Sequence, residues 1–401
     1  MSTFAALADP RFRLLWAGSF LSFAAMQMVQ VARPWLAYVV SGSATALGLV
    51  AASQGIAMLL VAPLAGVAAD RLPKRTVILT SQAFLLATAA VMGVLVLTGV
   101  TQVWHLVILA LVHGSTVPFN MPARQSFIPL LLPREHLANG VALQASARNV
   151  NQVLAPSVVG ILLAWHPAIA FFTMVGLHVA AMLTIAGMPL GKPVAAKGRG
   201  VRGELMGGVK MAVSTSWVRT LLGMALLPVV LGFPFQQMLP VFQQEVFRVG
   251  EERLGFMYAT VGVGALTGSL LVATFAGLTR RGLPQLIAGV LFGTALVCFA
   301  LSPSYWFALP ALAVVGVSSQ SYNTINQTLL MTNVEPEYYG RMASLMMMTR
   351  SMMPLVVLPV GALVDMFGAR YSLAVMGALL ALAILTLGIT RPALRGSRVG
   401  G

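Results

Sequence analysis

Residues 66–75 have the sequence Gly-Val-Ala-Ala-Asp-Arg-Leu-Pro-Lys-Arg and join two apolar runs, 45–69 and 76–98. Each run is long enough to cross a bilayer as a helix, since about 20 apolar residues span the hydrocarbon core. The charged side chains between the runs are costly to bury in lipid. The pattern therefore predicts two membrane-spanning helices that are joined by a charged turn at the membrane surface.

The composition of the whole chain supports the same interpretation. Of the 401 residues, 58% are hydrophobic and only 9% are charged, and the mean hydropathy is +0.87. A soluble domain has roughly a quarter of its residues charged, and disordered chains are more polar still. The sequence therefore predicts a polytopic membrane protein. The single cysteine, Cys298, lies in an apolar run and is predicted to be a packed thiol.

Twelve apolar runs are long enough to cross a membrane. They are residues 14–39, 45–69, 76–98, 102–122, 138–164, 167–188, 218–240, 252–277, 283–302, 305–331, 341–364 and 370–390. We predict an all-α membrane protein of twelve spans, arranged as two six-helix bundles.

The distribution of Lys and Arg predicts the orientation of the chain. With the N-terminus in the cytoplasm, 19 of the 25 Lys and Arg residues fall in cytoplasmic segments, including Arg124. Such a bias is typical of cytoplasmic loops. Both termini are then cytoplasmic. The net charge of +15 reflects this orientation at the surface of anionic lipid and does not indicate nucleic-acid binding.

A polar, basic stretch divides the chain into halves. We predict an N-terminal bundle (1–188), a cytoplasmic linker (189–217), a C-terminal bundle (218–391) and a basic tail (392–401). Within the linker, Glu204–Trp217 could form a helix that lies on the membrane.

A faint internal repeat relates the two halves. Arg148 and Arg350 lie 202 residues apart, as do Gln125 and Gln327, and Gly160–Gly176 has the same spacing as Gly361–Gly377. Transporters are often built from such repeats. Because few residues match, chance coincidence is an open alternative.

With these features in place, the sequence resembles the major facilitator superfamily. Residues 66–75 are similar to its loop signature Gly-x-x-x-Asp-Arg-x-x-Arg-Arg, and Pro122-Ala-Arg-Gln125, Pro133-Arg-Glu135 and Pro34-Trp35 are similar to the enterobactin-exporter and macrolide-efflux branch. The resemblance implies the fold of two six-helix bundles, alternating access and export by proton antiport. The branch often carries an acidic residue where this chain has Met26, and the second-half counterpart of the signature, Gly277–Gly282, lacks Asp. The coupling mechanism is therefore open.

The resemblance also implies a role for the charged turn. Gly66, Asp70, Arg71 and Arg75 would form a cytoplasmic latch that is stronger in one access state. The alternative is a topological anchor in which Asp70 caps the third span, since a helix N-terminus favours negative charge.

Two arginines are predicted deep in the membrane. Arg148 and Arg350 each lie about ten residues, or about 15 Å, into a span. All ten acidic residues fall in loops or at span ends. Each guanidinium therefore faces carbonyls, polar side chains, water or an anionic ligand.

Polar residues accompany these arginines at helical spacing. The stripes are Gln144, Arg148, Asn151 and Gln152; His113, Thr116 and Asn120; Ser319, Tyr322, Asn323 and Asn326; and Gln27 with Gln30. They indicate either hydrogen bonds between helices or a wet cavity. We predict the following substrate-cavity residues: Arg148, Arg350, Gln152, Asn120, Asn323, Gln27, Arg33 and His113. Arg33 could instead extend to the outer interface.

These residues predict the solute and leave the coupling open. Cations without anions favour anionic or neutral polar solutes. His113 is a candidate for proton coupling or a structural histidine, and Asp70 is a second candidate. Met346, Met347, Met348, Met352 and Met353 could bind copper or provide adaptable packing.

We predict an exporter of a small amphipathic solute, such as a siderophore, an antibiotic or a metabolite. The alternatives are an uptake permease of the same fold and a non-transporting scaffold or lipid-handling protein. No catalytic motif is present, so we expect no enzyme activity, cofactor or metal. The expected partners are the solute, a proton or another coupling ion, and the lipid bilayer. We expect a monomer in a bacterial inner membrane.

Overall fold

The computed structural model describes residues 5–190, 216–274, 282–332, 349 and 352–391, and within these ranges the chain is helical almost throughout, with no strand. The first half contains α1 (Pro10–Ser41), α2 (Ala44–Arg71), α3 (Lys74–Leu97), α4 (Val103–Leu131), α5 (Leu137–Trp165) and α6 (Pro167–Ala186). The second contains α7 (Ser216–Leu231), α8 (Phe235–Val241), α9 (Glu251–Thr274), α10 (Gly282–Ala300), α11 (Tyr305–Thr332), α12 (Met353–Phe367) and α13 (Ala369–Thr390). A π-helical turn, Phe242–Phe247, continues α8.

The chain divides into two compact units. The first comprises residues 1–197 and 250–259, and the second comprises residues 198–249 and 260–401. In the first unit, α1 packs on α5 and α6, α2 packs on α4, and α3 packs on α4 and α6. In the second, α10 packs on α11 and α13, and α7 packs on the same two helices.

Nine helical segments of the described ranges are long and apolar enough to cross a membrane. Helices α5 and α11 have the required length, but their polar stripes lower their hydropathy. Helix α12 is described only from Met353 and is shorter. The all-α membrane fold is therefore confirmed, while the number of twelve spans stays a prediction.

Local sequence signals account for where the first helices begin and end. Asp9 caps α1 by accepting hydrogen bonds from the backbone of Arg11 (2.8 Å) and Phe12 (3.1 Å). Gly42, with a φ of 62°, ends α1 in the left-handed conformation that glycine adopts without strain. Ser43 then caps α2 through the backbone N–H of Ala46 at 3.2 Å.

Helix α4 extends beyond its predicted end. The sequence pattern predicts that the span ends at residue 122, but the helix continues through Pro122 and Pro129 to Leu131. Membrane helices tolerate proline because neighbouring groups satisfy the freed carbonyls. Arg124 therefore lies inside α4 rather than in a loop after it, and it is only 2% exposed. Its placement on the cytoplasmic side stays a prediction.

Glycines allow pairs of helices to approach closely at related places in both units. A Cβ atom on Gly114 of α4 would lie 2.2 Å from the carbonyl oxygen of Gln54 in α2. A Cβ atom on Gly316 of α11 would lie 2.3 Å from the carbonyl oxygen of Val261 in α9. Gly114 and Gly316 are 202 residues apart, which is the offset of the sequence repeat. Small residues at such positions are typical of membrane helix interfaces.

The prediction for Cys298 is wrong. Its side chain is exposed on α10 rather than packed. An apolar run does not distinguish an interior position from one on the outer face, because lipid-facing positions of a membrane helix are also apolar.

Several predictions concern residues outside the described ranges. They concern the helix proposed for Glu204–Trp217, of which residues 204–215 are not described, and the second-half loop Gly277–Gly282, of which residues 277–281 are not described. They also concern Met346, Met347, Met348, Arg350 and the tail.

Candidate functional site

Arg148 lies on an exposed polar face of α5. Both Arg148 and Gln152 are exposed, and Arg148 makes no hydrogen bond or ion pair with the part of the chain that the structure describes. A second exposed face of α5 is apolar and carries Val150, Leu154 and Ile161. Positions 148 and 150 are about 200° apart on a helix, so the two faces are on opposite sides. If the apolar face contacts lipid, the guanidinium is on the side away from it.

The other two residues of the α5 stripe face α1 instead. Asn151 donates hydrogen bonds to the carbonyl oxygens of Phe20 in α1 (3.0 Å) and Ala147 (2.9 Å). The Gln144 amide donates to Ser19 Oγ of α1 at 3.2 Å. One predicted stripe therefore serves two purposes: half of it joins two helices, and the other half is exposed.

The stripe on α4 is buried. His113, Thr116 and Asn120 are 3%, 6% and 2% exposed. The hydroxyl of Thr116 donates to the carbonyl of Val112 in its own helix at 2.7 Å. Gln27 of α1, in contrast, is half-buried. The α4 residues thus lie inside the first unit rather than on its exposed polar face.

Asn120 belongs to a polar cluster that the sequence analysis missed, in which every side chain except the half-buried Gln144 is buried. This Arg124 cluster contains side chains from α1, α3, α4 and α5: Ser19, Ser22, Ser81, Gln82, Asn120, Arg124 and Gln144. Arg124 Nε donates to Asn120 Oδ1 at 2.9 Å, and its Nη1 donates to Ser19 Oγ at 3.0 Å. The available signal was the arginine of Pro-Ala-Arg-Gln, which was assigned to a loop because α4 was ended too early.

Arg33 is buried and bonded, which excludes its extension to the outer interface in this structure. It is 6% exposed, and its Nη1 donates to Gln54 Oε1 of α2 at 2.7 Å. Its Nε is buried and has no hydrogen-bond acceptor among the described residues. Arg33 therefore joins α1 to α2, close to where Gly114 contacts the backbone of Gln54.

The stripe on α11 is largely structural. The Tyr322 hydroxyl donates to the carbonyl of Met224 in α7 at 2.7 Å, and Asn326 donates to the carbonyl of Leu221 at 3.3 Å. Ser319 donates to Gly316 of its own helix at 3.2 Å. Asn323 is half-buried and forms no hydrogen bond with the described residues, so its amide is not engaged in packing there.

The structure describes only part of the predicted latch. Arg75 Nη1 donates to the carbonyl of Met188 at 3.0 Å, which holds the start of α3 against the segment after α6. Asp70 lies in the last turn of α2, and the N-cap of α3 is Pro73, with no side-chain cap. The structure does not describe the side chains of Asp70 and Arg71 or the surroundings of Gly66. The latch and the alternative in which Asp70 caps the third span therefore both stay predictions.

Among the described residues, no group of three His, Cys, Asp or Glu side chains is placed to hold a metal ion.

Comparison with known proteins identifies the family. A family model described as a transmembrane secretion effector matches residues 1–391. The chain belongs to this family, which is part of the major facilitator superfamily. It is 23% identical over 361 residues to macrolide efflux protein A of Streptococcus pyogenes, covering 88% of each chain. It is 25% identical over 347 residues to the enterobactin exporter EntS of Salmonella typhi, covering 84% of this chain and 81% of the exporter.

A solved structure shows the same fold. A bacterial homologue of the human lysosomal transporter Spinster, in an inward-facing and unoccupied conformation, matches with a TM-score of 0.77 at 14% identity, covering 97% and 98% of the two chains. The predicted resemblance is therefore confirmed. The chain is a multi-pass membrane transporter of the major facilitator superfamily, and its relatives are efflux proteins.

Proposed function

We propose that this chain exports a small amphipathic organic solute, with a preference for anionic or neutral polar molecules, by alternating access. The direction is supported by its relatives, which are named for macrolide efflux and enterobactin export. A siderophore or an antibiotic is thus the class of solute to test first. The orientation with both termini in the cytoplasm of a bacterial cell, and a monomeric state, are part of the proposal.

The exposed guanidinium of Arg148 carries the preference for anions. A charged side chain near the middle of a membrane helix costs about 2.5–3.5 kcal/mol to insert, and it faces water or a polar ligand rather than lipid. Arg148 is exposed on the polar face of α5 and has no carboxylate partner among the described residues. This face lines the solute pathway, with Gln152 on the same side of the helix. Asn323, Gln27 and Arg350 are the further contacts that we propose.

Proton coupling has two candidate residues in this chain. His113 is 3% exposed and lies in α4, while Asp70 lies at the end of α2. Asp70 belongs to the proposed latch with Gly66, Arg71 and Arg75. His113→Gln and Asp70→Asn separate the candidates when uphill and downhill transport are both measured. Loss of the coupling residue abolishes only the uphill transport driven by a pH gradient, whereas loss of a latch residue lowers both.

The test is transport in inverted membrane vesicles that contain the wild-type chain or Arg148→Gln. For an anionic solute that the wild type accumulates, we expect Arg148→Gln to lower the rate at least tenfold without lowering the amount of folded protein. Arg134→Gln removes one positive charge from an exposed site on the surface and is the matched control, with an expected rate close to wild type.

Three results would contradict the proposal. Accumulation in right-side-out vesicles alone would indicate an uptake permease. Tight binding of lipophilic cations, with no response to anions, would contradict the preference for anions. Equal transport by the wild type and Arg148→Gln would remove the residue from the solute pathway.

A further inference from the structure

The hydrogen bonds of the Arg124 cluster engage the side-chain oxygens of Ser19, Gln82 and Asn120. Ser19 Oγ accepts from Arg124 and Gln144 and donates to the carbonyl of Leu15 at 2.8 Å. Gln82 Oε1 accepts from Ser22 at 3.3 Å and from Asn120 Nδ2 at 3.5 Å. Asn120 Nδ2 also donates to Ser81 Oγ at 2.9 Å, and Asn120 Oδ1 accepts from Arg124. The acceptors of these three side chains are therefore already engaged.

Two buried donors of the cluster are left without a partner. Arg124 Nη2 and Gln82 Nε2 are both buried and have no acceptor among the described residues. The two residues are 2% and 0% exposed, and both are bonded to Asn120. A buried N–H without an acceptor is costly, and the cost is greater when the donor is charged. The cluster therefore requires a further acceptor.

The charge of Arg124 has no opposite charge beside it among the described residues. No carboxylate of the described residues forms an ion pair with it. Apolar side chains adjoin the cluster one helical turn away, since Leu15, Ile78 and Phe127 belong to a hydrophobic core in which all three are fully buried. This packing restricts access of bulk water from that side, so solvent screens the guanidinium poorly. A neutral acceptor satisfies the N–H groups but leaves the charge.

The second unit shows that the same contact can be built without a charge. Arg124 of α4 bonds to Ser19 of α1, and Asn326 of α11 bonds to Leu221 of α7, with both members of the pair displaced by 202 residues. Packing of the fourth helix of each half against the first therefore does not require a cation. The guanidinium of Arg124 is the feature of the first unit that packing alone leaves unexplained.

We infer that the Arg124 cluster is a binding site for a small inorganic monoanion of the chloride class. Arg124 Nη2 supplies the charge and a hydrogen bond, and Gln82 Nε2 supplies a second donor. The anion neutralises the guanidinium and stabilises the contacts between α1, α3 and α4. The site lies within the first unit and does not depend on which solute is transported.

The first test measures thermal unfolding of the purified full chain. Protein in sodium gluconate is titrated with chloride, bromide or nitrate at constant ionic strength. We expect a saturable rise in Tm of about 2 °C or more, because a ligand that binds only the folded state stabilises it. The rise should be absent in Arg124→Asn, which places the second-half residue in the first half. It should persist in Arg134→Gln, the surface control.

The second test locates the anion. Crystals of the wild type grown with bromide should show an anomalous peak within hydrogen-bond distance of Arg124 Nη2, a result that does not depend on whether Arg124→Asn folds. Gln82→Leu should raise the half-saturating concentration of the anion at least threefold. A Tm independent of the anion, a rise that persists in Arg124→Asn, or a water molecule only at Arg124 Nη2 would each overturn the inference.

Discussion

Replacing Gly114 with alanine is expected to force α2 and α4 apart. The new Cβ would lie 2.2 Å from the carbonyl oxygen of Gln54 and 3.0 Å from the Cα and carbonyl carbon of the same residue. An ordinary carbon–oxygen contact is longer than 3 Å, so the helices must separate by about 1 Å or bend. The displaced residue carries the amide that accepts from buried Arg33 at 2.7 Å, so the polar contact loosens together with the packing.

The magnitude follows from two opposing effects. Forcing extra volume into a packed interface costs about 1–3 kcal/mol, while alanine gains up to about 1 kcal/mol over glycine in a helix. Gly176→Ala is the matched control, because nothing lies within 4 Å of its Cβ position. The difference between the two variants cancels helix propensity and leaves the packing cost.

The assay is thermal unfolding of the purified variants in the same detergent. Gly114→Ala should melt at least about 2 °C below Gly176→Ala. Gly316→Ala should behave like Gly114→Ala, because its Cβ would meet the carbonyl oxygen of Val261 at 2.3 Å. Equal melting temperatures for Gly114→Ala and Gly176→Ala would refute the close approach of the two helices.

Two further predictions concern buried hydrogen bonds. Gln54→Leu removes the acceptor of Arg33 and should lower the free energy of unfolding by about 2–4 kcal/mol, whereas Gln54→Glu should preserve stability. Chemical denaturation of both variants measures the effect. An unchanged midpoint for Gln54→Leu would contradict the role of this pair. Tyr322→Phe removes the hydrogen bond to the Met224 carbonyl and should lower the free energy of unfolding by about 1 kcal/mol, with little effect on transport. Asn323→Ala should lower the transport rate with little effect on stability. The opposite outcome would exchange the two assignments.

The sequence predicted the class of protein because membrane insertion is a constraint on composition. Long apolar runs and few charges admit no soluble alternative, and residues 66–75 with Pro122–Gln125 indicated the family. Helix ends were harder to predict. Prolines usually end helices in water, but α4 continues through Pro122 and Pro129, as membrane helices can where other groups satisfy the freed carbonyls.

The polar stripes show what periodicity leaves undetermined. Spacing places Tyr322, Asn323 and Asn326 near one another on α11, yet two of them bond to carbonyls of α7 and one does not. Which helix lies opposite a stripe depends on tertiary packing, and spacing alone does not encode that. The stripe on α5 divides in the same way: Asn151 bonds to a carbonyl of α1, whereas Arg148 is exposed.

The internal repeat helps to separate the roles of the membrane cations. At an offset of 202 residues, Arg33 corresponds to Phe235 and Arg124 corresponds to Asn326. Phe235 is buried, with 1% of its surface exposed. These two cations occur in one half only, and both are buried and bonded within the first unit. Arg148 corresponds to Arg350, so this charge is present in both halves, and Arg148 is the exposed one of the three. We propose the solute role for the charge that recurs because Arg148 is exposed, whereas Arg33 and Arg124 are buried and bonded within the first unit.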